Sequence, residues 1–155
     1  MSLLQNWKKE FARLLKSHII TFENGLISKL EYRNEYGELH RNPEIGPAVI
    51  YYYENGNIRY KSYWVNGKKH RLEGPAYISY YENGNIRCES YWVNSEEHRL
   101  DGPAYIEYHE NGNIHFESYL INGKIHRLDG PAVINYYENG TYIANHIGLT
   151  VRNID

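Results

Sequence analysis

A chain of 155 residues has room for one domain or one short array, not for two independent cores. Its 41% hydrophobic and 23% charged content exclude global disorder, and a net charge of −2 gives no electrostatic case for a nucleic-acid binder. The single cysteine, Cys88, excludes an intrachain disulfide, and no apolar run reaches the roughly 18–20 residues that span a bilayer. The opening MSLLQNWKKEF has no signal-peptide stretch, so a cytoplasmic setting is expected.

Residues 1–20 read as an amphipathic helix. Leu3, Leu4, Trp7, Phe11, Leu14 and Leu15 follow helical spacing after Ser2 as N-cap, and Lys8, Lys9, Arg13 and Lys16 stand against a single Glu10. Three roles compete: a cap laid over the first hairpin, a partner-docking or self-association helix presenting Leu4, Trp7, Phe11 and Leu15, and a membrane-surface helix. Residues 21–45 form a worn first repeat, marked by Glu23–Gly25 and by His40-Arg41.

From residue 46 to 155 the chain repeats itself. Gly-Pro-Ala triplets begin at Gly46, Gly74, Gly102 and Gly130, a spacing of 28 residues each time, and the fourth copy decays toward the C-terminus. Each unit carries two runs rich in Tyr, Ile, Val and Trp around Glu-Asn-Gly-Asn, which is a hairpin signal. In the first run Ala48/76/104/132, Ile50/78/106/134 and Tyr52/80/108/136 are constant and two apart, so they share a face. Tyr51, Ser79, Glu107 and Asn135 lie between them and are assigned to solvent. In the second run Ile58/86/114, Tyr60/Cys88/Phe116, Ser62/90/118 and Trp64/Trp92/Leu120 form the apolar series. Arg59/Arg87/His115 and Lys61/Glu89/Glu117 alternate with them. A three-residue Glu-Asn-Gly loop, a type I turn with Gly84 in the left-handed region, pairs Tyr80 with Ile86, Ile78 with Cys88 and Ala76 with Ser90. The second connection, Asn-Gly-x-x-His-Arg-Leu-Asp/Glu-Gly-Pro, reads as a long loop in which Arg71 with Glu73 and Arg99 with Asp101 pair locally.

The text VNGKKHRLEGPAYISYYENGNIRCESYWVN resembles MORN repeats in its Asn-Gly, the histidine that follows, the glycine before a strand and the Tyr-Trp pair. The resemblance runs from about Ile45 to Asp155, with a longer period than usual for the family and His-Arg-Leu-Asp-Gly-Pro in place of a short glycine-spaced turn. It implies an elongated, twisted sheet of tandem antiparallel hairpins acting as a scaffold, with lipid binding proposed for some members. Arrays of this text are frequent in large DNA viruses and phages, so the resemblance also implies a viral source.

The expected fold is therefore an all-β repeat array with one N-terminal helix. No catalytic, cofactor or metal residues are assigned. His70, His98 and His126 recur at one position about 9–10 Å apart, too far for one ion, and His109 and His115 are set diagonal across their hairpin. Glu54, Glu82, Glu110 and Glu138 are turn residues, and Cys88 replaces an aromatic on the apolar face. The expected function is a non-enzymatic scaffold for protein–protein interaction, homodimeric through a terminal repeat. The candidate surface is Tyr51, Tyr53, Arg59, Tyr63, Tyr81, Arg87, Tyr91, His115 and Tyr119. The alternative is a small-ligand or phospholipid-headgroup module using the Arg/His/Tyr face.

Overall fold

The computed structural model describes residues 17–143. A first hairpin joins β1 (Ser17–Thr21) to β2 (Ile27–Tyr32). Each later unit contributes a long hairpin and a short one: β3 (Val49–Tyr52) with β4 (Ile58–Ser62), then β5 (Trp64–Val65) with β6 (Lys68–Lys69). The second unit has β7 (Tyr77–Tyr80) with β8 (Ile86–Ser90), then β9 (Trp92–Val93) with β10 (Glu96–Glu97). The third has β11 (Tyr105–Tyr108) with β12 (Ile114–Ser118), then β13 (Leu120–Ile121) with β14 (Lys124–Ile125). The fourth ends as β15 (Val133–Tyr136) with β16 (Tyr142–Ile143). The long hairpins form one antiparallel ten-stranded sheet in the order β1-β2-β3-β4-β7-β8-β11-β12-β15-β16. The all-β array of tandem hairpins is as expected. The helix expected over residues 1–20 falls on residues 1–16 outside the described ones, while residues 17–20 lie in β1.

The expected turn is present. Tyr81 N–H donates to the Asn85 carbonyl at 2.8 Å and Gly84 N–H to the Tyr81 carbonyl at 2.9 Å, with Gly84 at φ 92°. Tyr80 pairs with Ile86. The next step corrects the expected register: Arg87 is an extra, bulged residue, so Ser79 pairs with Cys88, Ile78 with Glu89 and Tyr77 with Ser90. The same shift occurs at Arg59 and at His115. The pairs Ile78–Cys88 and Ala76–Ser90 are therefore not made, and Tyr51, Ser79, Glu107 and Asn135 share a face with Tyr60, Cys88 and Phe116 rather than facing solvent alone.

Neighbouring hairpins supply the reason. On the back face Ile50, Ile78, Ile106 and Ile134 alternate across strands with Lys61, Glu89 and Glu117. The Tyr108 hydroxyl donates to Glu89 Oε2 at 3.0 Å and the Tyr136 hydroxyl to Glu117 Oε2 at 2.8 Å, while Lys61 Nζ lies 5.4 Å from the Tyr80 ring centre. Each charge is thus partnered by the tyrosine of the following hairpin. On the opposite face the shift stacks Tyr51 on Tyr60 at 4.5 Å and brings Tyr60 to 5.5 Å from Tyr77 and Tyr105 to 5.9 Å from Phe116.

The supposed long loop is itself built. Trp64–Val65 and Lys68–Lys69 pair around Asn66 (φ 48°) and Gly67 (φ 72°), the two-residue type I′ turn that suits strand twist. Short hairpins stack through Gly67 N–H to Leu39 O, Ser95 N–H to Lys69 O and Gly123 N–H to Glu97 O. The core is thin: Ala48, Ala76 and Ala104 are fully covered, and Ile78 and Ile106, two residues beyond Ala76 and Ala104, are buried as well.

Candidate functional site: an aromatic trough

Most residues that recur with the repeat are already engaged, the histidines and asparagines by residues ahead in the chain and the arginines by a tyrosine behind them. His40, His70 and His98 accept the backbone N–H of Asn66, Asn94 and Asn122 at their Nδ1 atoms, at 3.1, 3.2 and 3.2 Å. Arg41, Arg71, Arg99 and Arg127 each lay the guanidinium 4.0 Å from a tyrosine ring centre, those of Tyr32, Tyr63, Tyr91 and Tyr119. Asn57, Asn85 and Asn113 donate to the carbonyls of Glu82, Glu110 and Glu138, each at 2.9 Å. Among the described residues no group of three or more potential ligands could hold a metal ion. His109 and His115 keep the diagonal placement expected for them, His115 being the bulged residue, yet their ring centres lie 4.5 Å apart.

What remains open is a trough on the aromatic face. Two adjoining depressions, of about 360 and about 440 Å3, share Tyr60 and Tyr77 as walls. The first continues to Tyr105, Cys88 and Glu107 with Arg59 and Arg87 on its lip; the second runs to Tyr51, Trp64 and Lys69. Trp64 and Trp92 are fixed by indole N–H bonds to the buried hydroxyls of Ser62 and Ser90. Lys69 Nζ sits 4.2 Å from the Trp92 ring centre, 5.1 Å from Tyr77 and 5.6 Å from Trp64. Burial there lowers its pKa. Desolvation, reinforced by the hydroxyl of Tyr51, raises the pKa of the Tyr60 phenol. The trough is therefore a wall of rigid rings with cations along it, a surface for contact.

The candidate surface residues do not gather in one place. Tyr51, Tyr53, Arg59 and Arg87 line the trough, although the Tyr53 hydroxyl also donates to the Tyr80 carbonyl at 2.8 Å. Tyr81 is engaged likewise with the Tyr108 carbonyl at 2.7 Å. Tyr63, Tyr91 and Tyr119 lie under their arginines, Tyr63 being buried, and His115 packs on His109. Of the docking-helix residues, Leu4, Trp7, Phe11 and Leu15 lie outside the described residues. Tyr77, Tyr105 and Lys69 went unassigned. The signal was there: the place after each Gly-Pro-Ala is Val49, Tyr77, Tyr105 and Val133, apolar in every copy.

Among the described residues no helix is long and apolar enough to cross a membrane. No curated protein and no solved structure matches the chain. The family model described as MORN repeat variant matches residues 48–66, 76–94 and 104–122, each spanning one long hairpin and the first strand of the short one. With three such units in tandem, residues 48–122 form an array of MORN-like repeats.

Proposed function

We propose that this protein is a non-enzymatic scaffold that binds proteins, a second copy of itself included, in a reducing cytoplasmic setting in keeping with its lone buried Cys88. MORN repeats are in general scaffold modules for protein or membrane interaction. The observation that carries the reading is the trough: Tyr51, Tyr60, Tyr77 and Tyr105 stand half-buried in line across the sheet, held by ladders that run from unit to unit. Rings already immobilised lose little entropy on binding. The homotypic form of the reading uses the terminal repeat, where Tyr142 is 67% exposed and β16 ends the sheet among the described residues.

Light scattering over a concentration series tests self-association, and deletion of Gly148–Asp155 tests its terminal route. Partner binding is tested by capture from native extract with Arg59→Glu/Arg87→Glu, exposed positions whose reversal leaves the fold intact. A strict monomer whose captured proteins are unchanged by that variant refutes the scaffold reading. One observation favours a second reading, an anionic ligand or phospholipid headgroup: Arg59 and Arg87 border the same depression. Thermal shift with inositol phosphates, lost in Arg59→Ala/Arg87→Ala, would select it.

A further inference from the structure

One recurring residue is left without a structural role. Leu72, Leu100 and Leu128 occupy the same place in successive His-Arg-Leu loops and are 73%, 78% and 81% exposed. The loops that carry them are held rigid. Arg71 and Arg99 donate their backbone N–H to the carbonyls of Trp92 and Leu120 at 3.1 Å. In each loop the arginine also bonds the proline carbonyl two residues beyond the acid: Arg71 to Pro75, Arg99 to Pro103 and Arg127 to Pro131. The arginines turn inward onto their tyrosines, while Glu73, Asp101 and Asp129 face out, the last two with 82% and 86% side-chain exposure. Between two of the leucines lies a depression of about 460 Å3 lined by Leu100, Tyr119, Ile121 and Leu128. The result is a fixed rail of leucines, notches and outward acids along one end of the strands.

The rail has a definite pitch. Successive leucines precede β7, β11 and β15, two strand places apart, or roughly 9–10 Å, so Leu72 to Leu128 spans about 19 Å. A helix laid along it offers residues i and i+7 about 10.5 Å apart. Residues 1–16 carry that spacing twice, in Leu4/Phe11 and Trp7/Leu14, with Lys8, Lys9, Arg13 and Lys16 against one Glu10. As a helix they reach about 24 Å, enough for the whole rail. From their own chain, as a helix, they reach only its Leu72 end: Ser17 starts β1, four strand places or about 19 Å from β7, but six and eight places, about 29 and about 38 Å, from β11 and β15, where Leu100 and Leu128 stand.

We propose that the leucine rail Leu72–Leu100–Leu128 is a docking site for residues 1–16 of a second copy of this chain, with the basic side chains on Glu73, Asp101 and Asp129. The proposal rests on the scaffold reading and adds a homotypic contact separate from the terminal repeat. The test is a photo-crosslinking benzophenone amino acid at position 7 of the full chain, irradiated in an equal mixture of isotope-labelled and unlabelled protein. Mixed-isotope adducts between position 7 and the tract from His98 to Gly130 are expected, with at least a tenfold loss in Leu100→Ser/Leu128→Ser. Both positions are exposed, so the variant keeps its circular dichroism and melting profile. Adducts confined to one copy, adducts elsewhere on the second copy, indifference to the serine substitutions, or adducts only with lipid when anionic vesicles are present would each overturn the proposal. In the last three cases, self-association seen by light scattering leaves the scaffold reading standing. A monomer with no intermolecular adduct removes the homotypic reading as well.

Discussion

Replacing Arg99 by methionine tests whether the arginine–tyrosine stacks hold the units in register. Arg99 places its guanidinium 4.0 Å from the Tyr91 ring centre, gives Nη1 to the Pro103 carbonyl at 3.3 Å and Nε to Asp101 at 2.8 Å. Methionine keeps an unbranched stem and removes the charge and the donors. With the arginine side chain 23% exposed, the stack is worth about 1–1.5 kcal/mol. The long bond to Pro103 adds about 0.5 kcal/mol. The pair with Asp101, itself 82% exposed, is screened by water and is left out of the sum. Arg99→Met should therefore cost about 2 kcal/mol in urea unfolding. A double-mutant cycle with Tyr91→Leu should return about 1–1.5 kcal/mol of coupling, nearly unchanged at high salt because the contact is partly buried. Coupling below about 0.3 kcal/mol would show that ring and guanidinium are merely adjacent, and the reasoning for all four stacks would fail with it.

The bulged register predicts that Ile78→Asp, at a site 7% exposed, costs more than about 3 kcal/mol, while Ser79→Asp costs about 1–2 kcal/mol because Ser79 Oγ lies 3.1 Å from Cys88 Sγ. A Ser79→Asp variant as stable as wild type in the same urea titration would restore the solvent assignment. Ser95 holds φ 68° where equivalent turns have Gly67 and Gly123, so Ser95→Gly should stabilise by about 0.5 kcal/mol even after losing the hydroxyl contact to Lys69 N–H; a lower melting temperature would contradict this. Alkaline pH should unfold the protein. Desolvation raises the pKa of Tyr60, Tyr105 and Tyr108, and that of Tyr136 to about 12, so the fold holds these phenols neutral. Their contribution is complete below the unfolded value of about 10 and is lost as pH climbs through the folded values. Circular dichroism and tyrosinate absorbance should therefore change together above pH 10, and tyrosines that titrate fully while the strand signal persists would refute the burial argument.

The repeat period, the hairpins and the Glu-Asn-Gly turn were legible from residues alone, because each is a local matter. A left-handed glycine at Gly84 and alternating apolar positions act within a few residues. The bulge at Arg59, Arg87 and His115 was not legible in that way. Within one hairpin, Ile78 opposite Glu89 looks like a mismatch. It becomes favourable only once Tyr108, from the next hairpin, donates to that carboxylate and Tyr77 and Tyr105 gather with Cys88 and Phe116 on the other face. The trough follows from this choice, and so does the position of Lys69 among Trp64, Tyr77 and Trp92, which lie on three different strands. The recurring histidines and arginines were visible as residues, but their partners lie 24 or more residues ahead for the histidines and eight behind for the arginines Arg71, Arg99 and Arg127. Side-chain alternation says which residues share a face of one strand; which face wins is decided by the strands on either side, and those become neighbours only when the array has stacked.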